Sequence, residues 1–207
     1  MMDKVTGNRL AADLNEYLID MWIYLVYGAD KIDFFEHIPF EKYSEQRDLY
    51  NLHKKQKIVL DDSEIAIVGW TGFAGSFNGR FFDGGYSGHD VKGRDYIGEQ
   101  VRNIKSQAKA LKGTKFVHSD YLSLEIPEHS IIYCDPPYKG TKQYTYKVDY
   151  DRFWQWCRDM AKMGHKVFIS EYEAPEDFKC VWEKETKTAM NQKITKKATE
   201  KLFVYNG

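Results

Sequence analysis

The sequence predicts an α/β domain in which a mostly parallel sheet ends in an antiparallel hairpin. Short apolar runs alternate with segments of helical periodicity, the pattern of strands joined by right-handed crossover helices. Three of those runs end in an acidic residue, Asp13, Asp120 and Asp135. Two more, residues 180–183 and 202–205, close the chain and read as a terminal antiparallel pair.

The first strand is expected over Arg9-Leu10-Ala11-Ala12 and leads into Asp13. Leu14, Tyr17, Leu18, Met21, Trp22, Leu25 and Val26 then recur at helical spacing, and Gly28 supplies a stop. A second helix is expected over residues 40–55. Residues 69–88 are rich in glycine and aromatics, including Gly75-Ser76-Phe77-Asn78-Gly79-Arg80-Phe81-Phe82, and are expected to be mostly irregular. A polar helix over 94–111 closes at Gly113 and feeds a strand at 114–117, which ends at His118-Ser119-Asp120. Ile131-Ile132-Tyr133-Cys134 is the next strand and runs into Asp135-Pro136-Pro137-Tyr138. A helix over 150–163 carries Phe153, Trp154, Trp156 and Cys157 and stops at Gly164, before a strand at 165–170. No internal repeat is visible.

At 207 residues the chain suits one domain over 1–207, burying roughly 70% of its unfolded surface. Charged residues make up 29% and the net charge is −1, so no global basic field announces a polyanion. Near the end, Lys184, Lys187, Lys193, Lys196, Lys197 and Lys201 outnumber Glu185 and Glu200, which describes either a phosphate-contacting surface or a solvated loop. Cys134, Cys157 and Cys180 are scattered, without CxxC spacing, which argues against a disulfide framework or zinc site and for a reducing compartment. The 6 histidines form no HExxH pattern, so no metal is implied. With no secretory leader pattern and no apolar run long enough to cross a bilayer, a soluble cytoplasmic protein without a membrane partner is expected.

Asp135-Pro136-Pro137-Tyr138 is the segment richest in chemistry. Proline fixes its own φ and pushes the preceding residue toward an extended backbone, so Asp135 and Pro136 are both kept out of helix. Neither proline has an amide donor. The result is a stiff cluster of acceptors, the Asp135 carboxylate and one or two backbone carbonyls, with a tyrosine ring beside it. A planar ligand with an amino group suits it: the amine donates into the acceptors while the ring stacks on Tyr138, at roughly 1–3 kcal/mol for a base on an aromatic. Double prolines also serve as plain loop punctuation after strands. Asp13, Asp120 and Asp135 could each be a helix cap. In a parallel sheet, however, all three would gather along one edge, where open α/β sheets bind ligands and an acidic group accepts hydrogen bonds from ribose hydroxyls.

On these residues the chain resembles the S-adenosylmethionine-dependent, Dam-like DNA adenine-N6 methyltransferases, most closely their small phage-associated forms, over nearly its whole length. The resemblance is carried by Ala12-Asp13-Leu14-Asn15, Ser76-Phe77-Asn78-Gly79, Ser119-Asp120-Tyr121, Asp135-Pro136-Pro137-Tyr138 and Phe168-Ile169-Ser170-Glu171-Tyr172. It implies a Rossmann-like class I methyltransferase sheet with a C-terminal antiparallel hairpin, S-adenosylmethionine as cofactor and double-stranded DNA as partner. It also implies roles. Asp13 would hold the cofactor ribose and Asp120 its adenine end, while Asp135 would accept from the target amine with the Pro136 carbonyl and touch the methionine moiety. Pro137 completes the motif, and Tyr138 would stack on a flipped adenine. The family begins with a Lys-containing loop, a strand and a Pro-Phe-x-Gly-Gly-like turn, none of which is found here. The expectation is therefore a sheet lacking its first strand and glycine turn, N-terminally truncated relative to the family and completed by a missing segment or a partner. Without room for a separate target-recognition domain, DNA specificity is expected from residues 69–88 or from the basic segment 184–201.

Overall fold

The computed structural model describes residues 5, 7–28, 34, 37–88, 93–138, 148–191 and 194–207, and the side chains of 186–198 lie outside the description. The chain forms two compact units, Met1–Leu124 and Glu125–Gly207.

In the first unit, strand β1 (Arg9–Asp13) pairs in parallel with β2 (Thr114–His118), in a register that sets Asp13 opposite His118. Arg9 anchors β1 by donating to the carbonyls of Ala110, at 2.9 Å, and Lys112. Helix α1 (Glu16–Tyr27) follows β1 at once because Asn15 caps it, accepting from the Leu18 amide, and Gly28 ends it. Its last turn is tied to β2, where the Tyr27 hydroxyl donates to the Thr114 carbonyl at 2.7 Å. Helices α2 (Phe40–Lys54) and α4 (Tyr96–Ala110) fall within the expected spans 40–55 and 94–111.

The expectation of irregular structure over residues 69–88 is corrected in its first half. Residues 69–75 belong to a helix, α3 (Asp62–Gly75), the centre of this unit's core. A complete capping box starts it: Asp61 accepts from the Ser63 and Glu64 amides while the Glu64 side chain accepts from the Asp61 amide. Because Ala66, Val68, Trp70 and Ala74 are all buried, α3 is apolar around its circumference and carries no one-sided stripe for periodicity to detect. Its glycines allow close contact. A Cβ on Gly69 would stand 2.1 Å from the Tyr17 carbonyl oxygen of α1. Beyond α3 the chain turns through a single 3-10 turn at Phe77–Gly79, with Asn78 at φ 54° in the left-handed region. Phe81 and Phe82 return as core, packing on Tyr17, Tyr43 and Tyr50.

The second unit holds the strand order β3-β4-β6-β5. Strand β3 (Ile131–Cys134) pairs in parallel with β4 (Lys166–Glu171), and helix α5 (Tyr150–Lys162), capped by Asp149, lies between them in sequence. Strands β5 (Phe178–Asn191) and β6 (Ile194–Tyr205) form the antiparallel hairpin, with β6 pairing β4 over three residues, Ile169↔Phe203 to Glu171↔Lys201. The hairpin is much longer than the 180–183 and 202–205 runs suggest. Past Glu183 the residues are mostly charged and polar, and ladder pairing extends it without an alternating apolar pattern. The described strands form two sheets where one was expected: β1 pairs with β2 in one, and in the other β3 is an edge strand paired with β4.

Candidate active site

Asp13 and Asp120 stand at the same end of the β1/β2 ladder, as the sequence anticipates. The Ser119 amide donates to the Asp13 carbonyl at 3.1 Å, which fixes the two strand exits side by side. Asp13 is exposed, and its Oδ1 accepts from the Asn15 amide at 2.7 Å. Desolvation by the surrounding protein raises its carboxyl above the ordinary value, opposed by the Asn15 amide and by the nearby His118. His118 itself meets the Leu14 carbonyl through Nε2 at 3.0 Å, bracing the turn after β1. Asp120 is half-buried and caps the 3-10 turn Tyr121–Ser123, its Oδ1 accepting from the Leu122 amide at 2.8 Å. The capping role expected of any one acidic residue is therefore real at Asp120.

Asp135, Pro136, Pro137 and Tyr138 emerge from the carboxyl end of β3 in the second unit. Asp135 is exposed, and no described residue donates to its carboxylate. Desolvation first, and the charge of Glu200 second, hold its carboxyl above the ordinary value. Described residues tie the loop to its surroundings through Tyr138 and Pro137. The Tyr138 hydroxyl meets Ser170 Oγ at 2.6 Å, and its ring lies edge-on to Tyr172, with centroids 4.5 Å apart. The Tyr150 hydroxyl donates to the Pro137 carbonyl. Desolvation raises the Tyr138 and Tyr150 hydroxyls above their ordinary value, so both stay protonated at neutral pH.

Ser170, Tyr172 and Tyr150 were not singled out as loop contacts in the sequence. The available signal was the alternation of Ser170 and Tyr172, which gives them a common direction at the end of a strand. Nothing local marks Tyr150. Beneath the loop, Cys157 on α5 is fully buried, and its thiol is pushed up chiefly by its hydrogen bond with Cys134, the last residue of β3. A cavity of about 310 Å³ lined by Lys162, His165, Lys166 and Tyr205 lies at the opposite end of β4, away from the loop. Among the described residues no group of His, Cys, Asp and Glu could hold a metal ion, and no helix is long and apolar enough to cross a membrane. Of the basic segment, Lys193 and the side chains of Lys187, Lys196 and Lys197 lie outside the described residues, as do Met1–Lys4.

The first unit thus carries Asp13 and Asp120 at one end of a parallel strand pair, and the second carries the Asp-Pro-Pro-Tyr loop at the end of β3, within a mixed α/β chain. The family model of the D12 class N6 adenine-specific DNA methyltransferases matches residues 4–197, and the chain belongs to that family. A comparison with curated proteins finds no match. Membership makes DNA the substrate class and methylation of adenine the general activity.

Proposed function

We propose that the chain transfers a methyl group from S-adenosylmethionine to the N6 amino group of an adenine flipped out of double-stranded DNA, with residues 1–207 acting as one methyltransferase domain. The observation that carries this reading is the Asp-Pro-Pro-Tyr loop at the end of β3. Its carboxylate is exposed and meets no described donor, while its tyrosine is held in place. Extruding the base costs a few kcal/mol of unstacking and unpairing. Stacking on Tyr138 offsets part of that. The Asp135 carboxylate and the Pro136 carbonyl accept from the amine, which draws its lone pair out of conjugation with the ring and aims it outward. Catalysis is then positioning and electrostatics, without a covalent enzyme intermediate.

Bound S-adenosylmethionine supplies an electrophilic methyl group. The donor set in the first unit fits its nucleoside: Asp13, exposed at a parallel strand end, would accept from the ribose hydroxyls, and Asp120 would meet the adenine end. Asp135 would also touch the methionine moiety. The lysines of 184–201 would meet phosphates, and they and residues 69–88 would provide sequence preference.

A second reading, a catalytically silent remnant that retains DNA or partner binding, is favoured by one observation. The outer edges of β1 and β3 are unpaired by any described strand, and an unpaired parallel edge is a place where a partner chain could add one. Isothermal titration separates the two. Heat of binding with S-adenosylmethionine supports the first, and none at millimolar cofactor sinks it for this chain. Transfer of tritiated methyl to DNA should vanish in Asp135→Ala, and an unchanged rate would remove Asp135 from the mechanism.

A further inference from the structure

We infer that Tyr150, Ser170 and Tyr172 are positioning residues that set the Asp-Pro-Pro-Tyr loop for the target amine, with Tyr150 deciding which proline carbonyl is left to receive it. The inference rests on the methyl-transfer reading above.

The sequence leaves one or two carbonyls available to an amine. The Tyr150 hydroxyl donates to the Pro137 carbonyl, whereas no described residue donates to the Pro136 carbonyl. Tyr150 thus occupies one acceptor and leaves its neighbour, the one adjoining Asp135. It is the first residue of α5, whose start is set by the Asp149 cap accepting from the Arg152 amide at 3.1 Å. The hydroxyl is thereby carried on the rigid end of a helix, and the peptide plane after Pro137 is turned toward it.

Tyr138 is held independently. Its hydroxyl meets Ser170 Oγ at 2.6 Å, and Ser170 is buried in β4, paired opposite Leu202 of β6. Tyr172, just beyond β4, packs edge-on against the ring at 77°. An edge contact and a hydroxyl contact fix the plane of the Tyr138 ring, and stacking depends on that plane. Placing a reacting group badly by 1 Å can lower a rate by about 10²-fold, so supports of this kind act on turnover.

Steady-state methylation of duplex DNA by the full chain tests the inference. One hydrogen bond contributes enough to predict a roughly 3- to 10-fold fall in kcat for Tyr150→Phe and for Ser170→Ala, with S-adenosylmethionine affinity unchanged. Because Ser170 acts through the Tyr138 hydroxyl, Tyr138→Phe should lower kcat as much as Ser170→Ala, and the double variant should be no slower than the slower single. Multiplying losses would show that Ser170 and Tyr138 act separately and would overturn the inference. So would a full kcat in Tyr150→Phe, or a parallel loss of cofactor affinity. If the wild-type chain itself transfers no methyl group, the inference falls together with the reading beneath it, whereas an active wild type with unimpaired variants overturns the inference alone.

Discussion

Replacing Gly69 with alanine tests the element of the fold that local sequence disguises most. In an uncrowded helix this change stabilises by up to about 1 kcal/mol, because glycine is the poorer helix former. Here the added Cβ would stand 2.1 Å from the Tyr17 oxygen, 2.9 Å from the Tyr17 carbonyl carbon and 3.2 Å from Met21 Cβ. The first two are backbone atoms of a packed helix and cannot swing aside. Tyr17 and Met21 are themselves buried, so α1 and α3 must separate. Overpacking of this kind costs about 1–3 kcal/mol, and contact with backbone belongs at the upper end. Subtracting the propensity term leaves a net loss of about 2 kcal/mol. In urea unfolding followed by circular dichroism, with a slope of roughly 2 kcal/mol/M, the midpoint should fall by about 1 M. A midpoint equal to or above that of the wild type would refute the close approach of α1 and α3.

Other perturbations reach the acid groups and the hairpin. Asp20 is pushed up to about 6 by desolvation, then by Asp62 and Glu16, so ionising it opposes folding above that value and the protein should become more stable as pH falls from 6 toward the unfolded value of 3.8. Asp20→Asn removes the cost. After allowance for solvent screening of a half-exposed group, thermal unfolding should show the variant more stable by about 1 kcal/mol near neutral pH, with no advantage near pH 4; equal melting at neutral pH would count against the strained carboxylate. Asp135 is held up by desolvation and then by Glu200, so methylation should fail as pH drops through its raised value, and Glu200→Gln should move that acid limb to lower pH. A limb that does not move would remove Glu200 from the site. Lys184 and Lys201 face Glu200 and Glu183 across the hairpin ladder. If both lysines meet phosphates, Lys184→Gln with Lys201→Gln should lower the slope of log affinity against log salt for duplex DNA by about 1.8, and an unchanged slope would place phosphate contact elsewhere.

Much of the fold was legible because its signals are short-range. Helix α1 is announced by a one-sided stripe and by the stop at Gly28, and α5 by its aromatics and Gly164. Helix α3 was hidden for the opposite reason: a helix buried on all sides has no polar face, and its glycines, which allow close approach of α1 at Gly69, of Phe81 and Phe82 at Gly72 and of Tyr43 at Gly75, read locally as breakers. The capping box at Asp61 and Glu64 was the one local signal available, and it lies before the stretch that looked irregular. The basic hairpin was similarly opaque past Glu183, since a ladder sustained by backbone pairing needs no alternation of apolar residues.

By itself the sequence determined that Asp13, Asp120 and Asp135 stand at or just after strand ends, and that proline geometry keeps Asp135 and Pro136 out of helix. Proline geometry, periodicity and capping act over a few residues and survive without context. Only the tertiary structure decided that Tyr150 meets the Pro137 carbonyl and that Ser170 and Tyr172 contact Tyr138. The partners that decide it lie 13 residues away in sequence for Pro137 and Tyr150, and 32 for Tyr138 and Ser170, distances that a packed α5 and β4 close and a local pattern cannot express.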